Sequence, residues 1–284
     1  MKLCSYRVHG RTTYGAGLGD GGIVELAPHF PAHPSLLSLV RSVTLPAIAA
    51  VLRGASGDHA ESEVEFLPVF DEGATIHCVG LNYADHTAES GMVQPPFPRT
   101  FFKCPTALVG HGQPLEMPAL SGQFDFEGEL AVVLARPARN VTADRAMDYV
   151  LGYTPFMDGS VRDYQLQRTL DQGKNFYRSS AVGPYLVTAD EVGAIDQLTL
   201  RTYVSGELMQ EAKFSSMIFP VSELIEYISH ITELKAGDMI ATGTPAGVGF
   251  TREPPRWLRP GDVVEVNIER VGRLSNAVGP APLR

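Results

Sequence analysis

Apolar residues along this chain come mainly in short runs of roughly four to eight, the length of strands, with turn-forming Gly, Pro, Asn and Asp between them. Residues 3–26 read as paired strands around a glycine-rich turn, ending in Ile23-Val24-Glu25-Leu26. Over 35–53 the apolar positions take helical spacing interrupted by Pro46, which predicts one or two short helices. A polar, acidic stretch at 54–65 marks a boundary, giving a small N-terminal α/β module over 1–70 and a larger domain over 71–284. In that larger part strands are expected at 76–80, 100–103, 125–135, 151–157, 198–204, 239–242 and 263–268, and residues 182–187 read as a turn into a strand. Helices are expected at 84–89, at 143–149 with Thr142 as cap, and at 221–231, where 221, 224, 225, 228 and 231 form one apolar face. Many short strands with few short helices predict a mainly β, α+β fold.

The most informative run is Asp125-Phe126-Glu127-Gly128-Glu129-Leu130, followed by an apolar stretch that must be buried. If it is one extended strand, Asp125, Glu127 and Glu129 share a face. Carboxylates gathered in a low-dielectric setting repel one another and lose hydration, unless a cation offsets the cost. Oxygen-only ligands point to a hard ion of the Mg, Mn or Ca kind rather than zinc. A solvated acidic strand edge would give the same residues. Asp158 also ends an apolar segment, either as a third ligand or as the start of an Asx turn before Gly159.

Other residues carry potential chemistry. His86 and Glu89 are three apart in a helix-forming stretch and would meet on one face, as a surface pair or as a base with its orienting carboxylate. Lys103 follows two aromatic residues and either reaches an anion from an apolar wall or simply ends a strand; Lys174 and Arg178 add further cations. The run Gly17-Leu18-Gly19-Asp20-Gly21-Gly22 has dinucleotide-loop spacing, yet a strand pattern follows where a helix is required, so it reads as a turn. The loop 243–249 lacks the Gly-Lys-Ser/Thr of a nucleotide P-loop.

Composition narrows the partners. A chain of 284 residues that is 44% hydrophobic can bury a large core. A net charge of −9 argues against broad affinity for nucleic acid or anionic membrane, so any cations that hold an anionic substrate must be local. Three cysteines without paired spacing, no apolar leader and no membrane-length apolar run lead to the expectation of a soluble cytoplasmic protein.

Taken in order, Gly80-Leu81-Asn82-Tyr83 with His86 and Glu89, Phe102-Lys103, Phe126-Glu127-Gly128-Glu129-Leu130, Asp158 with Arg162-Asp163-Tyr164-Gln165, Lys174, and Gly243-Thr244-Pro245-Ala246-Gly247-Val248-Gly249 closely resemble the fumarylacetoacetate hydrolase superfamily. The likeness runs over about 76–276, and the N-terminal module is similar, more loosely, to the lid-side domain of longer bacterial members. The resemblance implies a mixed β-sandwich roll, usually a homodimer. It places Glu127, Glu129 and Asp158 on a Mg or Mn ion (Ca in some relatives), His86 and Glu89 as the water-activating dyad, and Lys174 near the developing enolate. Lys103, Arg162, Gln165, Thr244 and Tyr83 would face the substrate or support the site, with Asp125 behind them or facing solvent.

The implied reaction is hydrolysis of a 2,4-dioxo acid such as an acylpyruvate through a pyruvate enolate, as in catabolism of aromatic compounds. Oxaloacetate decarboxylation, isomerisation of hydroxy-dienedioates and dehydration of 3-deoxy-2-oxo sugar acids share that intermediate, and a non-catalytic binder of dicarboxylates is the contrasting reading. Two positions depart from the family pattern. Gly159 stands where a β-branched residue is more usual, and Tyr177 replaces an aspartate, which with Arg178 is expected to alter the substrate end of the pocket.

Overall fold

The computed structural model describes residues 1–70 and 73–282, so the boundary expected between residues 70 and 71 falls at positions outside the described ones. The protein has an α+β architecture of mixed sheets and short helices, organised on the strand Gly128–Leu134. This strand is buried at every position because it is covered on both faces, the arrangement that gives an unbroken apolar run. Leu130, Val132 and Leu134 pack towards Leu200, Val264 and Val266. Ala131 and Val133 turn the other way, towards Leu36, Leu39, Phe70 and Met239.

The large sheet continues on either side of that strand. Val150–Met157 pairs with it antiparallel, placing Glu129 opposite Phe156, and Met239–Ala241 flanks it on the other edge. Beyond Met239–Ala241 lie Ile76–Gly80, parallel to it, and then Arg99–Phe102. At the opposite end Leu186–Thr188 joins Val150–Met157 to the N-terminal strand Lys2–Val8, so the N-terminal hairpins extend the same sheet. The glycine-rich segment after Arg11–Gly17 is a turn into Gly22–Glu25, as its following strand pattern required. A second sheet of Glu207–Lys213, Thr199–Val204, Val263–Ile268 and Gly272–Ala277 covers one face of the first.

Local sequence explains the helices. Ser35 caps Leu36–Ser42 by accepting from the Ser38 amide, and Pro46 sits in the first turn of Leu45–Leu52, where its missing N–H costs nothing. Val221–Ile231 buries Val221, Leu224, Ile225 and Ile228, but Ile231, placed on that face by periodicity, is exposed at the helix end. Thr142 does not cap the helix Ala143–Ala146 through its side chain; Glu226 reaches across and accepts from the Ala143 amide at 3.1 Å.

The acidic run also differs from a single strand. Phe124–Asp125 pairs with Ser160–Val161 in a separate ribbon, and the chain breaks at Phe126 and Glu127 before Gly128–Leu134 begins. Gly128 faces the second sheet so closely that a Cβ there would sit 1.9 Å from Thr202 Oγ1. Only glycine fits, and Glu129 is thereby committed to the opposite face.

Candidate active site

Glu127, Glu129 and Asp158 each present a carboxylate oxygen, and these oxygens lie within 4.8 Å of one another in the buried interior. Glu127 and Glu129 flank Gly128, while Asp158 arrives at the end of Val150–Met157, its amide donating to the Glu127 carbonyl at 2.8 Å. Gly159 follows because there is no room for more: a Cβ would lie 1.7 Å from the Ser179 carbonyl oxygen, which accounts for the departure from a β-branched residue.

Three cations surround these acids. Lys174 Nζ donates to Glu127 Oε2 at 2.6 Å and to Asp158 Oδ2 at 2.9 Å. Lys103, fully buried, contacts Asp158 Oδ1 and donates to Ser180 Oγ at 3.0 Å; it does not line the cavity. Arg162 bridges Asp125 Oδ2 and Glu127 Oε1, each at 2.8 Å. Asp125 is fully buried rather than facing solvent, and also accepts from the Gly249 and Phe250 amides, so it fixes both Arg162 and the 249–250 loop.

The charges do not balance. Asp125, Glu127, Glu129 and Asp158 are four carboxylates against Lys103, Arg162 and Lys174, leaving one negative charge in excess. Burial favours a neutral Glu127, but Lys174 and Arg162 outweigh it and hold the carboxyl at about 2. Glu129 has no such partner. Burial first, then the charges of Asp158 and Glu127, hold it well above the usual carboxylate range, although Lys174 and the Gly243 amide act against them. Lys174, whose burial favours loss of its proton, is kept above its ordinary value by Asp158 and Glu127. A buried, all-oxygen set with an uncompensated acid fits a hard divalent cation. Such an ion would turn the excess into one positive charge, suited to an anionic ligand.

A cavity of about 70 Å³ opens against this cluster, lined by His86, Glu127, Arg162, Gln165, Lys174 and Thr244 together with apolar side chains. Arg162 Nη2 is buried without a hydrogen-bond partner, a donor left over for a ligand. Gln165 accepts from Arg162 Nη1 at 2.8 Å. The Thr244 hydroxyl is fixed between the Gly128 carbonyl and Gln210 Nε2.

His86 and Glu89 lie on the short helix Ala84–Glu89, with His86 Nδ1 2.9 Å from Glu89 Oε1. Burial raises the Glu89 carboxyl, yet His86, the Gly247 amide and the Thr251 hydroxyl together bring it below its ordinary value. Tyr83 is buried at the start of this helix, serves it through its backbone carbonyl and does not line the cavity. Neither Tyr177, which is exposed, nor Arg178 lines it either.

Sequence reasoning passed over three supports. Gln210 binds the Gly128 amide, Thr244 and the Pro245 carbonyl. Asn82 ties the Thr242 and Phe219 carbonyls together. Thr251 completes the anchoring of Glu89. Asn82 was within a recognised motif; the other two carry no local signal.

Comparison with known proteins bears directly on this arrangement. The model of the fumarylacetoacetate (FAA) hydrolase C-terminal domain matches residues 75–279, the stretch that contributes every residue of the cluster. The chain belongs to the fumarylacetoacetate hydrolase family. The fumarylacetoacetate hydrolase of Exiguobacterium antarcticum superposes with a TM-score of 0.82 at 32% identity over 99% of each chain. Maleylpyruvate hydrolase from Sphingobium sp. SYK-6, solved with manganese(II) and pyruvate, gives a TM-score of 0.83 at 26% identity over 99% of this chain and 100% of that one. The mitochondrial oxaloacetate tautomerase fahd2 of Xenopus laevis is 35% identical over 274 residues, 93% of this chain and 85% of its own. Fumarylacetoacetate hydrolase relatives thus include hydrolases and tautomerases, and one was solved in complex with both manganese(II) and a small keto acid. Among the described residues no helix is long and apolar enough to cross a membrane.

Proposed function

We propose that the protein hydrolyses a carbon–carbon bond in a 2,4-dioxo acid of the acylpyruvate class, with His86 as general base. The observation that carries this reading is that His86, held by Glu89 behind it, lines the same cavity as Glu127, Arg162 and Lys174. An ionised Glu89 accepting from Nδ1–H leaves His86 Nε2 free to take a proton. When held by Glu127, Glu129 and Asp158, a magnesium or manganese ion supplies Lewis-acid stabilisation for the charge that develops on the 2-oxo oxygen.

The remaining work falls to the chain. His86 takes a proton from water as the water oxygen adds to the C4 carbonyl. The C3–C4 bond then breaks, its electron pair passing to C3, and the acyl group leaves as a carboxylic acid. The pyruvate enolate regains a proton at C3, returned from His86. Arg162 Nη2 is available to the substrate carboxylate, and the Lys174 ammonium offsets negative charge at the inner end of the cavity.

A second reading, keto–enol tautomerisation of oxaloacetate, is favoured by the Xenopus laevis relative, whose likeness covers 93% of the chain. There His86 would take a proton from C3 instead of from water. Assaying the manganese-supplemented protein with acetylpyruvate and with oxaloacetate, followed by NMR, separates the two. Acetate and pyruvate from the first compound support hydrolysis; accelerated interconversion of the oxaloacetate tautomers alone moves the assignment to the second reading. Inertness towards both contradicts each.

A further inference from the structure

The Thr244 hydroxyl has no freedom in how it meets the cavity, and the reason lies in the second sheet. Between Thr199–Val204 and Glu207–Lys213 the register slips: Thr202 faces Gln210 and Tyr203 faces Leu208, so Met209 is an extra, bulged residue. Without the bulge Gln210 would share the outward face of the exposed Leu208. With it, Met209 and Gln210 are both buried, and the Gln210 amide reaches the first sheet. Arg252 Nη2 pins the bulge by donating to the Met209 carbonyl at 2.9 Å.

The partners of Gln210 then fix every hydrogen. The Gly128 N–H can only donate, so the atom 2.9 Å from it is Oε1; the Pro245 carbonyl can only accept, so the atom 2.8 Å from it is Nε2. The second hydrogen of Nε2 goes to Thr244 Oγ1 at 2.7 Å. That Oγ1 also lies 2.9 Å from the Gly128 carbonyl oxygen, and the hydrogen between those two oxygens can only be the threonine's own. With its proton spent and one lone pair taken, Thr244 has a single lone pair left to offer.

Apart from the carboxylates, few groups on this wall can accept. Arg162 Nη2 and Lys174 only donate, and Gln165, whose Oε1 is taken by Arg162 Nη1, has only its Nε2 hydrogens to give. A ligand atom that must donate twice therefore finds His86 Nε2 and Thr244 Oγ1. Water is such an atom, with one hydrogen to lose and one to keep. Ser90 also spends its proton, on the His86 carbonyl at 2.7 Å. It is half-buried at the end of the short helix that carries His86, whereas Thr244 is held from both sheets.

We propose that Thr244, oriented by Gln210, accepts the hydrogen that the attacking water keeps. The water gives one proton to His86 Nε2 and holds the other against Thr244 Oγ1 while its oxygen adds to C4; the retained hydrogen leaves on the carboxylic acid. Thr244 is thereby a catalytic residue and Gln210 its positioning residue. The inference rests on the hydrolytic reading above and deepens it, since tautomerisation consumes no water.

The test follows two reactions of the manganese-supplemented protein. One is hydrolysis of acetylpyruvate, which consumes water. The other is exchange of the pyruvate methyl hydrogens in D2O, in which His86 takes a proton from C3 and returns a deuteron. Thr244→Val, similar in shape but without the lone pair, should lower kcat for hydrolysis roughly tenfold, keep KM within about twofold and slow exchange less than twofold. Thr244→Ser should recover most of the hydrolysis. Gln210→Met should lower hydrolysis in the parent and add nothing in a Thr244→Val chain, because it acts through that hydroxyl. Should Gln210→Met not fold, the Thr244 variants decide alone. If Thr244→Val slows both reactions alike, or neither, or if Ser90→Ala depresses hydrolysis in its place, the role of Thr244 is overturned and the hydrolytic reading stands. If the parent releases no acetate from acetylpyruvate, that reading fails and the inference falls with it.

Discussion

His86 Nδ1 lies 2.9 Å from Glu89 Oε1, and the other oxygen of Glu89 is held by the Gly247 amide at 2.9 Å and the Thr251 hydroxyl at 3.0 Å. A six-residue helix too short to hold its own shape in water is thereby fastened to the 243–251 loop by the side chain that orients the base. Replacing Glu89 by Gln keeps a neutral acceptor for His86 and removes the charge that favours its basic tautomer. We expect kcat on the substrate to fall by about a hundredfold with little change in KM, measured by steady-state kinetics. Unchanged kcat would remove Glu89 from the mechanism.

The excess charge at Glu129 has a measurable consequence for stability. With chelator present, Glu129→Gln should melt at a higher temperature than the parent, because it removes a buried acid that has no cation of its own. Added manganese should raise the melting temperature of the parent and leave that of Glu129→Gln unmoved. A variant that still responds to manganese would show that the ion binds elsewhere.

Glu25 gives an acid-dependent stability far from the cavity. Hydrogen bonding from Arg11 leads the effects that bring its carboxyl from 4.5 to about 2, against burial and helped by Thr13 and His59. Because the folded-state value is depressed, its contribution is full above about pH 4.5 and declines as pH falls towards 2. The melting-temperature difference between the parent and Glu25→Gln should therefore be largest near neutrality and shrink over that window. A difference independent of pH would contradict the assignment.

Gly128 is a packing constraint that can be tested by a pair of substitutions. Gly128→Ala places a methyl group against Thr202 Oγ1 and should cost about 1–3 kcal/mol in denaturant unfolding. Thr202→Ala in the same chain removes the colliding atom and should recover part of that loss. Equal destabilisation by the single and double variants would mean that the collision is relieved some other way.

The strands and the acidic run were legible because their patterns are local. The apolar residues 130–134 can only be a strand covered on both faces, and the carboxylates before them had to be gathered or solvated. What the pattern could not show was long-range. Asp125 lies two residues before Glu127 but belongs to another ribbon, paired with Ser160, and its partner Arg162 is 37 residues away. Lys103 looked equally able to reach an anion or to end a strand, and only the packing of Ser180 and Asp158 around it shows where the ammonium goes. Glu226, which replaces Thr142 as the cap of Ala143–Ala146, acts across 83 residues of sequence.

Three carboxylates and a 2-oxo acid are proposed to share one site. Anomalous diffraction from a crystal grown with manganese(II) and soaked in oxalate, an analogue of the pyruvate enolate, addresses it directly. The expected result is a single strong peak among the carboxylate oxygens of Glu127, Glu129 and Asp158, with oxalate in the cavity beside His86 and Arg162. A peak elsewhere, or oxalate bound away from these three residues, would contradict it.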